Sequence, residues 1–201
     1  ERIFTVPGES FLAVLDALKI EKTHIVGNSF GGALAMWIAY KAPERTDRLV
    51  LMGAGGWPSK VGPELEKLWG YTPSFENMKE IMDIMAYDRS LVTDELAELR
   101  YKATLRPGAQ ETFERVFPAP RQRWLDSEAL AIHQLEALTN ETLIIHGRDD
   151  RVVDPDISLN LHKFIKNSQL HMFGKCGHWT MIEHAARFQQ LVENFLMEGR
   201  G

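Results

Sequence analysis

The sequence predicts an α/β protein: a parallel sheet of about four strands flanked by helices, with a helical block inserted into it. Three observations carry this reading. Short apolar, β-branched runs alternate with helical patterns at both ends of the chain. The runs at 23–28 and 47–56 bracket one helical pattern, the strand–helix–strand order of a right-handed crossover between parallel strands. From Trp57 to about Leu138 the strand pattern disappears, and proline-punctuated helical segments replace it.

The elements follow in order. After Pro7-Gly8, "SFLAVLDALKI" places Phe11, Leu12, Leu15 and Leu18 on one helical face. "THIVGN" is short, β-branched and closed by polar and glycine residues, as a buried strand should be. "FGGALAMWIAYKAP" is helical up to the residue before Pro43. "DRLVLMGAGG" is a second strand ending in glycines. The middle holds helical segments at 64–69, 74–85 and 93–105, with weaker ones near 110–117 and 127–138. The alternation then resumes with "ETLIIHGRDD", "PDISLNLHKFI", "QLHMFGKCGHW" and "MIEHAARFQQLVENFL". Residues 1–56 and 138–201 therefore read as the α/β core, and 57–137 as a helical cap over the carboxyl edge of the sheet, where such proteins keep their sites.

Composition narrows the class. The chain has 201 residues, 44% hydrophobic and 25% charged, which suits one globular unit with an insertion. A net charge of −5 gives no basis for nucleic-acid binding. Charged residues between 94 and 128 alternate in sign and read as a solvated helical face. The single cysteine, Cys176, excludes an internal disulfide and fits a reducing compartment. No apolar run reaches membrane-spanning length, and "ERIFTVPGES" has no signal-peptide pattern, so a cytoplasmic location is expected.

The chemistry begins at Gly27-Asn28-Ser29-Phe30-Gly31, a G-x-S-x-G pattern between a predicted strand and a predicted helix. Small residues on both sides of the serine would permit an unfavourable backbone conformation that exposes the hydroxyl. A glycine-rich turn with an incidental serine is the alternative. A serine needs a base and an orienting acid. "LIIHGRDD" offers Asp149 and Asp150 just beyond one strand, and "GKCGHW" offers His178 beyond the next. Loops at the same ends of parallel strands converge, and Ser, Asp, His is the chain order used with this strand–turn–helix arrangement. Taken singly, His178 could be a loop histidine and Asp150 a turn cap. His24, His146 and His171 fall within strands and are expected to be packed or hydrogen-bonded. His133, His162 and His184 lie on helices without metal-ligand spacing, so no metal is expected. Cys176 reads as a small buried side chain.

At these residues the chain resembles the meta-cleavage product hydrolases, carbon–carbon bond hydrolases of the α/β-hydrolase fold, and within them the 2-hydroxymuconate semialdehyde hydrolase branch. "GNSFGGALA", "LVLMGAGG", "YDRSLVTDELAELRYKA", "FPAPRQRW", "HGRDDRVV" and "KCGHWTMIEHAARF" carry the resemblance, over residues 11 to 197. It implies that Ser29 is the nucleophilic or substrate-activating serine, His178 the base and Asp150 the triad acid. It also implies that the Phe30 N–H serves the oxyanion, and that Asn28 and Trp179 line the site. Arg100 matches a cap arginine that holds the substrate's carboxylate and enolate end, a role suited to a guanidinium; otherwise it reads as a surface helix residue. Arg121 and Arg123 are weaker candidates. "FPAPRQRW" resembles the branch acting on monocyclic products, which implies a small leaving acid. The implied reaction adds water across a carbon–carbon bond of a ring-fission product, with possible esterase activity and no cofactor.

The resemblance also marks a departure. The family has further amino-terminal strands and an H-G-x-G-P-G-like loop that supplies a second oxyanion donor, and this chain contains no such loop. Lack of one donor typically costs about 10²–10³ in rate. A carboxylesterase on small esters, or a weakly active or inactive remnant, is therefore the alternative. Strand 23–28 would be left as a hydrophobic edge, and a homo-oligomer covering it is expected. Nothing points to a nucleic-acid or membrane partner.

Overall fold

The computed structural model describes residues 3–198. Its four strands, β1 (Thr23–Asn28), β2 (Thr46–Met52), β3 (Thr142–Gly147) and β4 (Ser168–Phe173), form one parallel sheet in chain order. The ends of the expected core, residues 1–2 and 199–201, lie outside the described residues. With both faces covered, β3 is buried along its length and β2 from Leu49 onward, successive residues facing opposite sides. Leu49, Leu51 and Ile144 face one apolar cluster, while Val50, Met52, Leu143 and Ile145 face another. Helices α2 (Phe30–Lys41) and α9 (Pro155–Phe164) supply the first cluster, and α11 (Ala185–Met197) supplies the second through Phe195.

The sequence places α1 after Pro7-Gly8, but it spans Thr5–Ala17 and contains both residues. Pro7 sits in the first turn, where a missing N–H costs nothing. Gly8 is there because Trp37 of α2 packs on it: a Cβ at Gly8 would lie 2.2 Å from the indole.

Between β2 and β3 run α3 (Pro63–Trp69), α4 (Phe75–Met85), α5 (Asp94–Thr104), α6 (Ala109–Val116), α7 (Gln122–Glu128) and α8 (Ile132–Glu136). Ser74 and Thr93 cap α4 and α5, their hydroxyls accepting from the N–H groups of Asn77 and Leu96. Tyr71, Met78, Met82, Ala86 and Ala97 form a separate small core that includes Trp179. The single helix expected at 127–138 is two, because Leu130 N–H donates to Gly56 O at 2.8 Å and pulls the chain out of helical geometry. Leu125, Leu130 and Leu135 join the main core beside α2 rather than the cluster around Met82. The last helix also divides, into α10 (Thr180–Glu183) and α11, at His184, whose ring stacks on Phe173.

The solvated face read between 94 and 128 fails at Glu128. This residue is only 5% exposed, at the end of α7 and against Gly55.

Candidate active site

Ser29 occupies the bend between β1 and α2 with φ 55° and ψ −122°, a conformation that non-glycine residues rarely adopt. Its neighbours hold it there. The Ser29 N–H donates to Met52 O at 2.9 Å, and Gly55 N–H donates to Ser29 O at 3.2 Å. Gly27 is required by crowding, since a Cβ would lie 2.3 Å from Gly31 O. Gly32 is required by Ala54, whose Cβ would be 2.5 Å away. Gly31 is different: a Cβ there meets nothing within 4 Å, so small residues are not demanded on both sides of the serine as the sequence implies. Phe30 opens α2, where the backbone N–H has no intrahelical acceptor and the helix dipole favours negative charge. Asn28 Nδ2 donates to Met52 O at 3.1 Å, so its amide ties β1 to β2.

The acid and base meet. His178 Nδ1 lies 2.7 Å from Asp150 Oδ2, with His178 2% and Asp150 8% exposed. Asp150 Oδ1 accepts from the N–H groups of Val152 (2.8 Å) and Val153 (3.0 Å), which fixes the carboxylate plane. Burial opposes ionisation of Asp150, but hydrogen bonds from His146 and His178 and their electrostatic attraction outweigh it and hold the carboxyl well below the usual carboxylate range. Asp149 instead faces Arg148 and the Cys176 N–H. The two carboxylates are thus told apart by their partners.

Among the described residues the Ser29 hydroxyl has no hydrogen-bond partner, so the serine–histidine contact of a closed triad is not formed. The two halves flank one loop. A Cβ on Gly53, which follows the Met52 carbonyl bound by Ser29, would lie 3.1 Å from His178 Nδ1. Nucleophile–base bonds are commonly long without substrate and tighten in the reacting complex.

The His178 loop is fastened to the helical insertion. His178 N–H donates to Met85 O at 2.8 Å. Glu183 accepts from the N–H groups of Gly177 (2.7 Å), Tyr87 (2.8 Å) and Asp88 (2.9 Å). Trp179 is buried and lines a cavity of about 490 Å³ with Met78, Met82, Met85 and Arg100. The Arg100 guanidinium lies 5.2 Å over the Trp179 ring and has no carboxylate partner among the described residues. Arg121 pairs with Glu66 and Arg123 lies over Trp124, and neither borders this cavity. Burial together with the negative charges of Glu183, Asp150 and Asp149 pushes the Cys176 thiol up to about 12, which keeps it protonated and a poor competitor for Ser29.

Sequence reasoning expected His146 to be packed or hydrogen-bonded, as it is, but did not foresee Asp150 as its partner, and it missed Glu128. His146 is fully buried against Asp150, signalled only by a polar side chain inside an otherwise apolar strand. Glu128 is pushed up to about 7 by burial and has no hydrogen-bond partner among the described residues; its sequence context gives no signal.

Residues 8–185 match the family model described as alpha/beta hydrolase fold. The chain is 56% identical over 190 residues to a 2-hydroxymuconate semialdehyde hydrolase of Pseudomonas putida, covering 94% of this chain and 68% of that protein. It is 54% identical over 183 residues to a 2-hydroxy-6-oxo-2,4-heptadienoate hydrolase of Pseudomonas putida, covering 91% of this chain and 66% of that protein. Among solved structures it superimposes with a TM-score of 0.92 on a meta-cleavage product hydrolase of Pseudomonas fluorescens, a serine-to-alanine mutant complexed with acetates. That match has 56% identity and covers 94% of this chain and 69% of the other. The chain spans about two thirds of the length of these relatives.

Proposed function

This chain belongs to the α/β-hydrolase fold family and, within it, to the meta-cleavage product hydrolases, and from that membership we propose that it hydrolyses a carbon–carbon bond of a meta-ring-fission product in aromatic degradation. The substrate is of the 2-hydroxymuconate semialdehyde type, and the products are 2-hydroxypenta-2,4-dienoate and a small acid. The observation that carries the reading is the buried His178–Asp150 pair, packed near Gly53, which follows the Met52 carbonyl that holds the strained Ser29. Trp179 comes next in sequence and lines an apolar cavity bearing an Arg100 guanidinium with no carboxylate partner among the described residues.

Each group has a task in that reaction. Arg100 grips the substrate carboxylate and enolate end. His178 relays the protons, and its imidazolium is stabilised by Asp150, which also fixes the ring. Ketonisation of the dienol protonates the carbon that the cleaved bond will leave behind and creates an enone sink for the electrons that cleavage releases. Ser29, or water it helps activate, attacks the other carbonyl, at the end to be released, and the Phe30 N–H supports the oxyanion. The bond then breaks, its electron pair restores the dienol, and the acyl part leaves as the acid, at once where water attacked, or after a water molecule hydrolyses the ester left on Ser29. Asn28 holds the Ser29 bend through Met52, and Trp179 shapes the cavity wall.

Helices 57–137 serve as the cap and 1–56 with 138–201 as the core in this account. A second copy covers the β1 edge, where Val26 is 48% exposed. No helix among the described residues is long and apolar enough to cross a membrane. A cytoplasmic site of action agrees with the single buried cysteine.

The test compares two substrates. Bleaching of a yellow ring-fission product, with Arg100→Leu weakening kcat/KM by about tenfold or more through KM, supports the reading. The same variant should leave p-nitrophenyl acetate turnover unchanged, because that ester carries no carboxylate. Turnover of the ester alone would make the chain a carboxylesterase, and neither activity would make it an inactive remnant.

A further inference from the structure

We propose that His146, anchored by Ser158, is a positioning residue that sets the hydrogen-bond load on Asp150 and thereby the strength with which Asp150 holds His178. The assignment starts from acceptors. His146 Nε2 lies 3.0 Å from Val153 O and 3.1 Å from Asp150 Oδ2. A carbonyl only accepts, and so does a carboxylate, so Nε2 carries the proton and shares it between them. The other ring nitrogen, Nδ1, lies 2.6 Å from Ser158 Oγ. In the neutral ring it accepts the Ser158 hydroxyl proton, and this bond fixes the tautomer. All four residues of the chain Ser158–His146–Asp150–His178 are buried, with His146 and Ser158 fully so. Water therefore has little room to replace a missing partner.

Asp150 Oδ2 thus receives two imidazole N–H donors from opposite sides in sequence, one from β3 and one from the loop after β4. Each donor withdraws charge from the oxygen the other uses. The charged groups that act on Asp150 are these two imidazoles, and Asp150 in turn acts with Asp149 and Glu183 on the nearby Cys176 thiol. Among the described residues none of Cys176, Asp149 and Glu183 hydrogen-bonds to His146 or to the Asp150 carboxylate. Removing His146's donor should therefore concentrate Asp150's charge on His178 and tighten that bond.

The inference rests on the proposed function for its catalytic meaning, but its readout does not need turnover. Proton NMR of the purified chain follows the hydrogen-bonded Nδ1 proton of His178. In His146→Leu, that signal should move further downfield. In His146→Gln, whose amide nitrogen can still donate to Asp150, it should stay near its wild-type position. Ser158→Ala should give a smaller shift in the same direction, and it serves as the main test if His146→Leu does not fold. If the chain also turns over substrate, the acid limb of the pH–rate profile should move up by about half to one pH unit in His146→Leu and return in His146→Gln. A His178 signal unchanged in folded His146→Leu, or in folded Ser158→Ala if only that variant folds, would overturn the proposal. A shifted signal in a chain that hydrolyses no ring-fission product would keep it and discard the reaction.

Discussion

At Ser29 the backbone is held by what surrounds it, and the glycines beside it differ in what they contribute. Gly27 lies against the Gly31 carbonyl, a backbone atom that cannot step aside. Gly27→Ala should therefore destabilise the fold by about 1–3 kcal/mol or more. Gly31→Ala enters open space at the start of α2 and should be neutral or stabilising by up to about 1 kcal/mol. Denaturant titration of both variants checks the pair; equal losses would contradict this reading of the bend. Glu128 gives a second prediction. Its folded value of about 7 lies above its ordinary 4.5, so the native state holds a proton that the unfolded state releases as pH rises between those values. The stability this provides is complete below 4.5 and is lost as pH climbs through 7. Glu128→Gln, always neutral, should remove that slope and exceed wild type above pH 7 by on the order of 3 kcal/mol at most. Parallel melting curves against pH for wild type and Glu128→Gln would contradict it. Asp150 has the opposite sign: its depressed value stabilises the fold at neutral pH and the contribution fades under acid.

Among the elements, α10 does more than its four residues indicate. Its Glu183 accepts three backbone N–H groups and so joins the His178 loop to residues 87 and 88 after α4. Glu183→Ala should cost about 1–3 kcal/mol and speed amide exchange at Tyr87, Asp88 and Gly177 together. Unchanged exchange at Tyr87 and Asp88 would show that the insertion is held by other contacts. This element also marks where the sequence was readable and where it was not. Strands β1 to β4 and helix α2 announce themselves because burial writes a local pattern of β-branched runs and small residues. Asp150 and His178 follow, since each ends a strand in a glycine-marked loop. The breaks at 129–131 and at His184 do not, because they depend on Gly56 and Phe173, which are remote in sequence. The start of α1 escaped for the same reason, through Trp37. Glu128 looks ordinary until the fold buries it, and His146, expected to be packed or hydrogen-bonded, gives no local sign that Asp150 is its partner.

Across the molecule, the sheet of the described residues ends in β1 on one side and β4 on the other. Among the described residues β1 pairs only with β2, and Val26 on β1 is exposed along with Val14 on α1 and Leu18 just after it. An apolar strand edge of this kind recruits another strand. The purified chain should therefore run as a dimer or larger species in light scattering, and Val26→Lys should shift it towards monomer. A stable wild-type monomer would contradict the shared edge. The same strand carries the Ser29 bend at its end, so the edge and that bend are mechanically linked. The claim on which the account rests is that Ser29, His178 and Asp150 act as one hydrolytic unit despite the open serine–histidine contact. Its most direct measurement is turnover of a ring-fission product by wild type, Ser29→Ala, His178→Ala and the double variant. The account predicts a loss of about 10³-fold or more in each single variant and little further loss in the double. Activity retained in either single variant, or losses that multiply in the double, would contradict it.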